Sequence, residues 1–159
     1  MHPNVARVAD AARAAGLDIS VERFPDGTRT AADAARAVGC DVAQIVKSLV
    51  FMVDGEPVLA LVSGANRVDP AQLGSALGAN DVRRADGDEA REATGVAIGG
   101  VPPFGHARPV TVLVDRDLLR HDRLWAAAGL PDAVFAVAPA DLVRVSGGRV
   151  VELAATDGR

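Results

Sequence analysis

Apolar residues open the chain with a 3.6-residue period. Between Pro3 and Ala15, Val5, Val8, Ala9, Ala12 and Ala15 share one helical face, Arg7, Asp10 and Arg13 lie opposite, and Gly16 ends the run. The period then shortens to two. Ile19, Val21 and Arg23 alternate with Ser20, Glu22 and Phe24, which predicts a strand over 18–24 stopped by Pro25-Asp26-Gly27. Thr30 is placed to cap a helix running to about Val38, with Asp33 near its positive end and Gly39 after its last turn. Asp41 caps a shorter helix through Gln44 or Ile45.

From Ile45 to Val53 the chain is β-branched and apolar. Asp54-Gly55 is a hairpin signal, and Pro57 to Ser63 supplies the return strand. Asp69-Pro70 opens a helix to Leu77, and Asp86 or Asp88 starts another that ends near Thr94-Gly95. A glycine- and proline-rich loop covers Gly95 to Gly105. Strands are predicted at 110–115, 133–137 and 149–153, with a helical turn at Asp141. Helices and short strands intermingle throughout, so the fold class is α/β of the mixed, α+β kind, built on one sheet or partial barrel.

The 159 residues, 49% hydrophobic and 24% charged, suit one domain over 1–159 and exclude disordered, collagenous and coiled-coil chains. A formal charge of −4 disfavours non-specific binding along DNA or RNA, so any nucleic-acid contact must be local. Apolar runs such as Ser48 to Val53 fall far short of the roughly 18–20 residues of a membrane span. The N-terminus lacks a basic segment followed by an apolar one, so no secretory signal is expected. One cysteine, Cys40, permits no internal disulfide and is expected as a small buried hydrophobe, which agrees with a reducing, cytoplasmic setting.

The basic residues change the picture. Of 17, sixteen are arginine and one is Lys47, set between core-type neighbours in Gln44-Ile45-Val46-Lys47-Ser48-Leu49-Val50-Phe51. Lys47 could face solvent and protect a sheet edge. Alternatively it supplies what guanidinium cannot, a compact ammonium with three rotatable donors and a pKa that burial lowers. The loop Ile98-Gly99-Gly100-Val101-Pro102-Pro103-Phe104-Gly105-His106 reads either as a rigid turn or as backbone held against a ligand, with N–H donors from Gly99, Gly100, Val101 or Phe104. His106 could touch a substrate or serve at the surface. Arg67 and Arg83-Arg84 fit a solvated surface or a small phosphate-contacting patch, and Trp125 fits the core or a lid. His2, His106 and His121 have no metal-ligand spacing, so no metal and no cofactor are expected, and no Gly-x-Ser-x-Gly elbow is present.

Three segments in this order, Gln44 to Phe51, Gly64-Ala65-Asn66-Arg67-Val68-Asp69, and Thr94-Gly95 through Gly99-Gly100-Val101-Pro102-Pro103-Phe104-Gly105, resemble the YbaK/ProX-type aminoacyl-tRNA deacylases, relatives of the editing insertion of bacterial prolyl-tRNA synthetase. The resemblance runs from about Gly27 to Leu153. It implies a single domain with a mixed, partly barrel-like sheet and hydrolysis of the ester joining a wrongly attached small amino acid to the tRNA 3′ end. By the same resemblance, Lys47 corresponds to the family's essential lysine. Gly99 to Pro103 correspond to its Gly-x-x-x-Pro loop, and Ser48, Arg67, Phe104 and His106 join the substrate-binding set. The implied partners are the acceptor end of a mischarged tRNA and, as a candidate, an aminoacyl-tRNA synthetase. Two departures stand out. Pro102 replaces the serine many relatives carry, and the segment from Ala127 to Val134 is almost wholly apolar where some relatives place Ser and Asp. A non-catalytic module that holds an aminoacyl end or nucleotide beside a synthetase is the competing reading, and a Schiff-base lysine is a third.

Overall fold

The hairpin encoded by Asp54-Gly55 organises the molecule. In the computed structural model, which describes residues 2–25, 27–28 and 30–155, both turn residues adopt positive φ, 48° and 83°. That is the type I′ geometry whose twist matches two flanking strands. The hairpin strands are β2 (Val46–Val53) and β3 (Glu56–Ser63), paired along their whole length with Val46 opposite Ser63 and Val53 opposite Glu56. The element order is α1 (Pro3–Ala14), β1 (Val21–Arg23), α2 (Ala31–Val38), β2, β3, α3 (Pro70–Leu77), β4 (Val82–Arg84), α4 (Gly87–Thr94), β5 (Thr111–Asp115), β6 (Leu124–Ala127), β7 (Ala133–Val137), α5 (Pro139–Ser146) and β8 (Arg149–Val151). Short 3₁₀ turns occupy Val42–Gln44 and Arg116–Arg120.

Five strands form one sheet in the order β4-β2-β3-β5-β8, antiparallel through the hairpin and parallel from β3 to β8. Three more form an antiparallel sheet in the order β1-β7-β6. A parallel bridge between Ile45 and Trp125 joins the two. The mixed sheet expected from the sequence and the family resemblance takes the form of two open sheets: the larger ends on β4 and β8, the smaller on β1 and β6, and neither closes into a barrel.

β3 explains the packing. It lies between β2 and β5, and its side chains alternate between two cores. Leu59 and Leu61 enter the cluster that holds Val8, Val46, Val50, Phe104, Leu124 and Phe135, whereas Val58, Ala60 and Val62 enter a second with Phe51, Leu73 and Leu113. A third, smaller cluster of Ala34, Ala35, Ile45, Trp125 and Val134 sits where the sheets meet.

The predicted caps are in place: Thr30 accepts from Asp33 N, Asp69 from Ala71 N, and Asp86 forms a reciprocal capping box with Glu89. Two strands were not legible. β4 is only three residues, Val82-Arg83-Arg84, and exists because it pairs with the end of β2. β6, Leu124-Trp125-Ala126-Ala127, carries two alanines and becomes strand through its pairing with β7. The turn at Asp141 is a full helix, α5. Of the predicted turn at 25–27, Asp26 lies outside the described residues. Cys40 is half-exposed and not a buried hydrophobe; burial and Asp41 push its thiol pKa up. Among the described residues no helix is long and apolar enough to cross a membrane.

Because Leu59 is fully buried at the centre of the larger sheet, Leu59→Ala should lower stability by about 2–5 kcal/mol. In a urea titration the midpoint falls with little change in slope, while the far-UV circular dichroism of the native state is kept.

Candidate functional site

β4 pairs with Phe51, Met52 and Val53, and the next residue, Ala85, donates its N–H to Val50 O at 3.0 Å. Beyond that point β4 does not continue. Since main-chain groups point to alternate edges with a period of two, Ser48 turns its N–H and C=O to the same side as Val50, away from β3. A cavity of about 280 Å³ opens there. Its lining includes Val46, Lys47, Ser48, Leu49 and Val50 of β2, Ala31 and Ala34 of α2, Trp125, Ala126 and Ala127 on β6, Ala133 and Val134 on β7, and Arg84, Ile98, Gly99 and Val101. The hydroxyl of Ser48 is buried in this wall without a hydrogen-bond partner.

Lys47 is half-buried, and its Nζ donates to the main-chain carbonyl of Asn66 in the connection that follows β3. Burial is the main cause of a lowered ammonium pKa, and the positive charges of Arg84 and Arg67 add to it. Arg84 stacks its guanidinium 5.5 Å from the centre of the Phe51 ring. Arg83 diverges from it. Its guanidinium makes a two-pronged pair with Glu89 at 2.7 and 2.6 Å, which helps to hold that carboxyl down at about 2. The dipeptide that suggested a joint basic patch thus splits into an exposed surface pair and one cavity residue.

The glycine-proline loop begins with a tight turn in which Gly100 N donates to Ala97 O at 3.1 Å and Gly99 takes φ +100°. The Gly100 N–H is consumed inside that turn, so it is not among the free donors anticipated from the sequence. Gly100 is also in close contact: a Cβ there would lie 2.9 Å from the Leu130 backbone. Its carbonyl accepts from Gly129 N at 2.9 Å, and Gly129 O in turn accepts from Asn4 Nδ2 at 3.2 Å. Only Gly99 and Val101 of the predicted loop residues, with Ile98 beside them, reach the cavity lining. Pro102, Pro103 and Phe104 are buried, and Phe104 packs its ring 5.5 Å from that of Phe135. His106 lies outside the lining and donates Nε2–H to Pro102 O at 2.7 Å; burial pushes its pKa down, which favours the neutral ring. Arg67 is outside the lining too, although its charge acts on Lys47.

Sequence reading identified the lysine and the loop but missed the wall. Ala31, Ala34, Ala126, Ala127 and Ala133 come from three separate elements, and only tertiary structure brings these small side chains together. Trp125, 8% exposed, belongs to both the third core cluster and the lining. Among the described lining residues there is no carboxylate, imidazole or thiol, and no group of three or more His, Cys, Asp and Glu among the described residues is placed to hold a metal ion. The site therefore combines an apolar, small-walled chamber with cationic groups and main-chain polar atoms. It can bind and polarise, and its described lining residues include no carboxylate or imidazole base.

The model of the aminoacyl-tRNA editing domain matches residues 25–145. The proline–tRNA ligase of Streptococcus equi subsp. equi is 37% identical over 91 residues, 56% of this chain and 14% of the ligase. That of Acidithiobacillus ferrooxidans is 34% identical over 104 residues, 65% of this chain and 18% of the ligase. The match thus spans less than a fifth of those ligases. A crystal structure described as a candidate trans-editing enzyme for prolyl tRNA synthetase superposes with a TM-score of 0.91 at 43% identity, covering 98% of this chain and 99% of that one. With three quarters of its length inside the matched region, the chain belongs to the aminoacyl-tRNA editing domain family.

Proposed function

We propose that this chain is a trans-acting aminoacyl-tRNA deacylase that removes a small amino acid from a mischarged tRNA, with Lys47 and the loop from Gly99 to Pro103 as its working parts. The observation that carries the reading is the half-buried Lys47 ammonium beside an alanine-walled chamber. Such a chamber favours a compact apolar side chain, and the relatives point to tRNAs charged by a proline–tRNA ligase.

An aminoacyl ester is activated by its own leaving group, so positioning and charge stabilisation supply much of the required acceleration. Water adds to the ester carbonyl carbon, the bond from that carbon to the ribose oxygen breaks, and the ribose oxygen leaves with a proton as free hydroxyl. The amino acid departs as its acid. The Lys47 ammonium donates toward the oxygen that gains negative charge or toward the terminal ribose. Ser48, with an unpartnered hydroxyl and outward-facing main chain, and Gly99 and Val101 orient the aminoacyl group. With no side-chain base in the described lining, the attacking water passes its proton to the substrate's own hydroxyl or amino group. Pro102, Pro103, Phe104 and His106 keep the loop rigid, and Arg67 and Arg84 place positive charge near the entering acceptor end.

Lys47→Ala should reduce deacylation of mischarged tRNA by roughly 10²–10³-fold, the scale of one lost oxyanion donor, with unchanged circular dichroism. Retained turnover by the folded variant contradicts the assignment, and saturable binding of aminoacyl-tRNA by the unmutated chain without loss of the aminoacyl group favours the non-catalytic module.

The same reading fixes a pH dependence. Activity that needs the ammonium is present below the lowered Lys47 pKa and is lost as pH rises through it. Arg84→Gln removes a like charge, so the alkaline limb of the rate profile, corrected for spontaneous ester hydrolysis, should move to higher pH. A limb that stays in place argues that it does not report Lys47.

A further inference from the structure

The carbonyl that holds Lys47 belongs to a residue that is itself anchored. Asn66 Nδ2 donates to Asp117 Oδ2 at 2.9 Å, across 51 positions of sequence. Asp117 lies in the 3₁₀ turn directly after β5, a strand that is hydrogen-bonded to β3 and not to β2. We propose that Asn66 and Asp117 form a clamp that sets the position of the Lys47 ammonium, making both of them positioning residues for the reaction. The proposal rests on the reading that Lys47 acts on the substrate.

The geometry of the connection gives the reason. Its start is pinned by Asn66 N donating to Ser63 O at 2.9 Å and by Ser63 Oγ donating to Ala43 O at 2.7 Å. Its far end is pinned by Ala155 N donating to Arg67 O at 2.8 Å. Between these points, the Asn66 side chain ties the residue that carries the acceptor carbonyl across to Asp117. A lysine has a flexible four-carbon stem and three rotatable donors, so its head goes where its acceptor is. Releasing Asn66 leaves the acceptor free to turn and the ammonium free to follow. The clamp lies outside the apolar core, since the Asp117 side chain is 37% exposed and also lies 3.4 Å from Arg120. A role confined to stability would sit more naturally on a buried pair.

The test uses the full chain and measures single-turnover and steady-state deacylation of a mischarged tRNA, with melting followed in parallel. Asn66→Ala and Asp117→Ala should each lower kcat by roughly 10- to 100-fold, the scale of a misplaced catalytic group, with a smaller change in KM. The double variant should be no worse than the more impaired single, because both changes remove one bond. Displacement of the main-chain carbonyl acceptor weakens its bond to the charged amine, so the alkaline limb should shift to lower pH in these variants. Asp117→Asn keeps an oxygen acceptor without the charge and should retain most of the activity. A loss there equal to that of Asp117→Ala overturns the hydrogen-bond account. The two readings separate cleanly. If Lys47→Ala remains active, the assignment of Lys47 falls and the clamp with it. If Lys47→Ala is inactive while Asn66→Ala and Asp117→Ala keep the original kcat and limb, the clamp is wrong and the Lys47 assignment stands. Losses that merely follow the unfolded fraction, with the limb unmoved, also overturn the clamp.

Discussion

β2 is paired along its full length on one side and only over its last three residues on the other, and the site follows from that mismatch. A fully paired strand would have its main-chain groups satisfied and no room beside them. A free edge would invite pairing with another chain. Here β4 ends at Arg84, the chain turns into α4, and β6 lies alongside without laddering onto β2, joined to the larger sheet by the Ile45–Trp125 bridge just before β2. The gap is walled in part by alanines of α2, β6 and β7, which makes it a chamber. The failure of the two sheets to close into a barrel is thus part of how the chamber is made.

The second constraint is electrostatic. The chain has a net charge of −4, yet Lys47, Arg67 and Arg84 are close enough for the two arginines to depress the lysine's affinity for its proton. Gathering like charges costs free energy, and the fold offsets part of it locally. Arg84 lies over the Phe51 ring, and Lys47 donates to a carbonyl. A carboxylate in the same place would neutralise the ammonium more fully and would also compete with an anionic or polar substrate for it. A carbonyl holds the ammonium while leaving its charge uncompensated.

Much of this organisation is legible in the sequence, for identifiable reasons. The hairpin is written in Asp54-Gly55, where the turn geometry demands positive φ twice, and the helix starts are written in Thr30, Asp69-Pro70 and Asp86, whose side chains accept from the first turn. Lys47 stands out because it is one ammonium among sixteen guanidinium groups. What the sequence hides is whatever depends on non-local pairing. β4 and β6 carry no period of their own, and the alanine wall is assembled from residues as far apart as Ala31 and Ala133. The loop shows the same division. Its glycines and prolines announce rigidity, but the fact that Phe104 packs on Phe135 while Gly99 and Val101 reach the chamber lining follows from tertiary packing, with Gly100 pressed against Leu130.

That division of the loop bears on the proposed chemistry, which draws on no side-chain base among the described lining residues. When a site works by orientation and charge, its acceleration depends on how little its parts must reorganise as charge develops. The loop is fixed through Gly100 to Gly129, from Gly129 to Asn4 at the start of α1, and through the His106 bond to Pro102. Lys47 is fixed from the opposite side of the chamber through Asn66. The two parts proposed to act are therefore held by separate parts of the fold, the loop by α1 and the segment before β7, the lysine by the connection after β3. Rigidity on both sides sets the width of the chamber, and under the proposed function a fixed width would let a wall of methyl groups distinguish a small amino acid from one a few carbons larger. Each added methylene in such a pocket counts for only about 1–3 kcal/mol, so discrimination survives only if the walls do not yield.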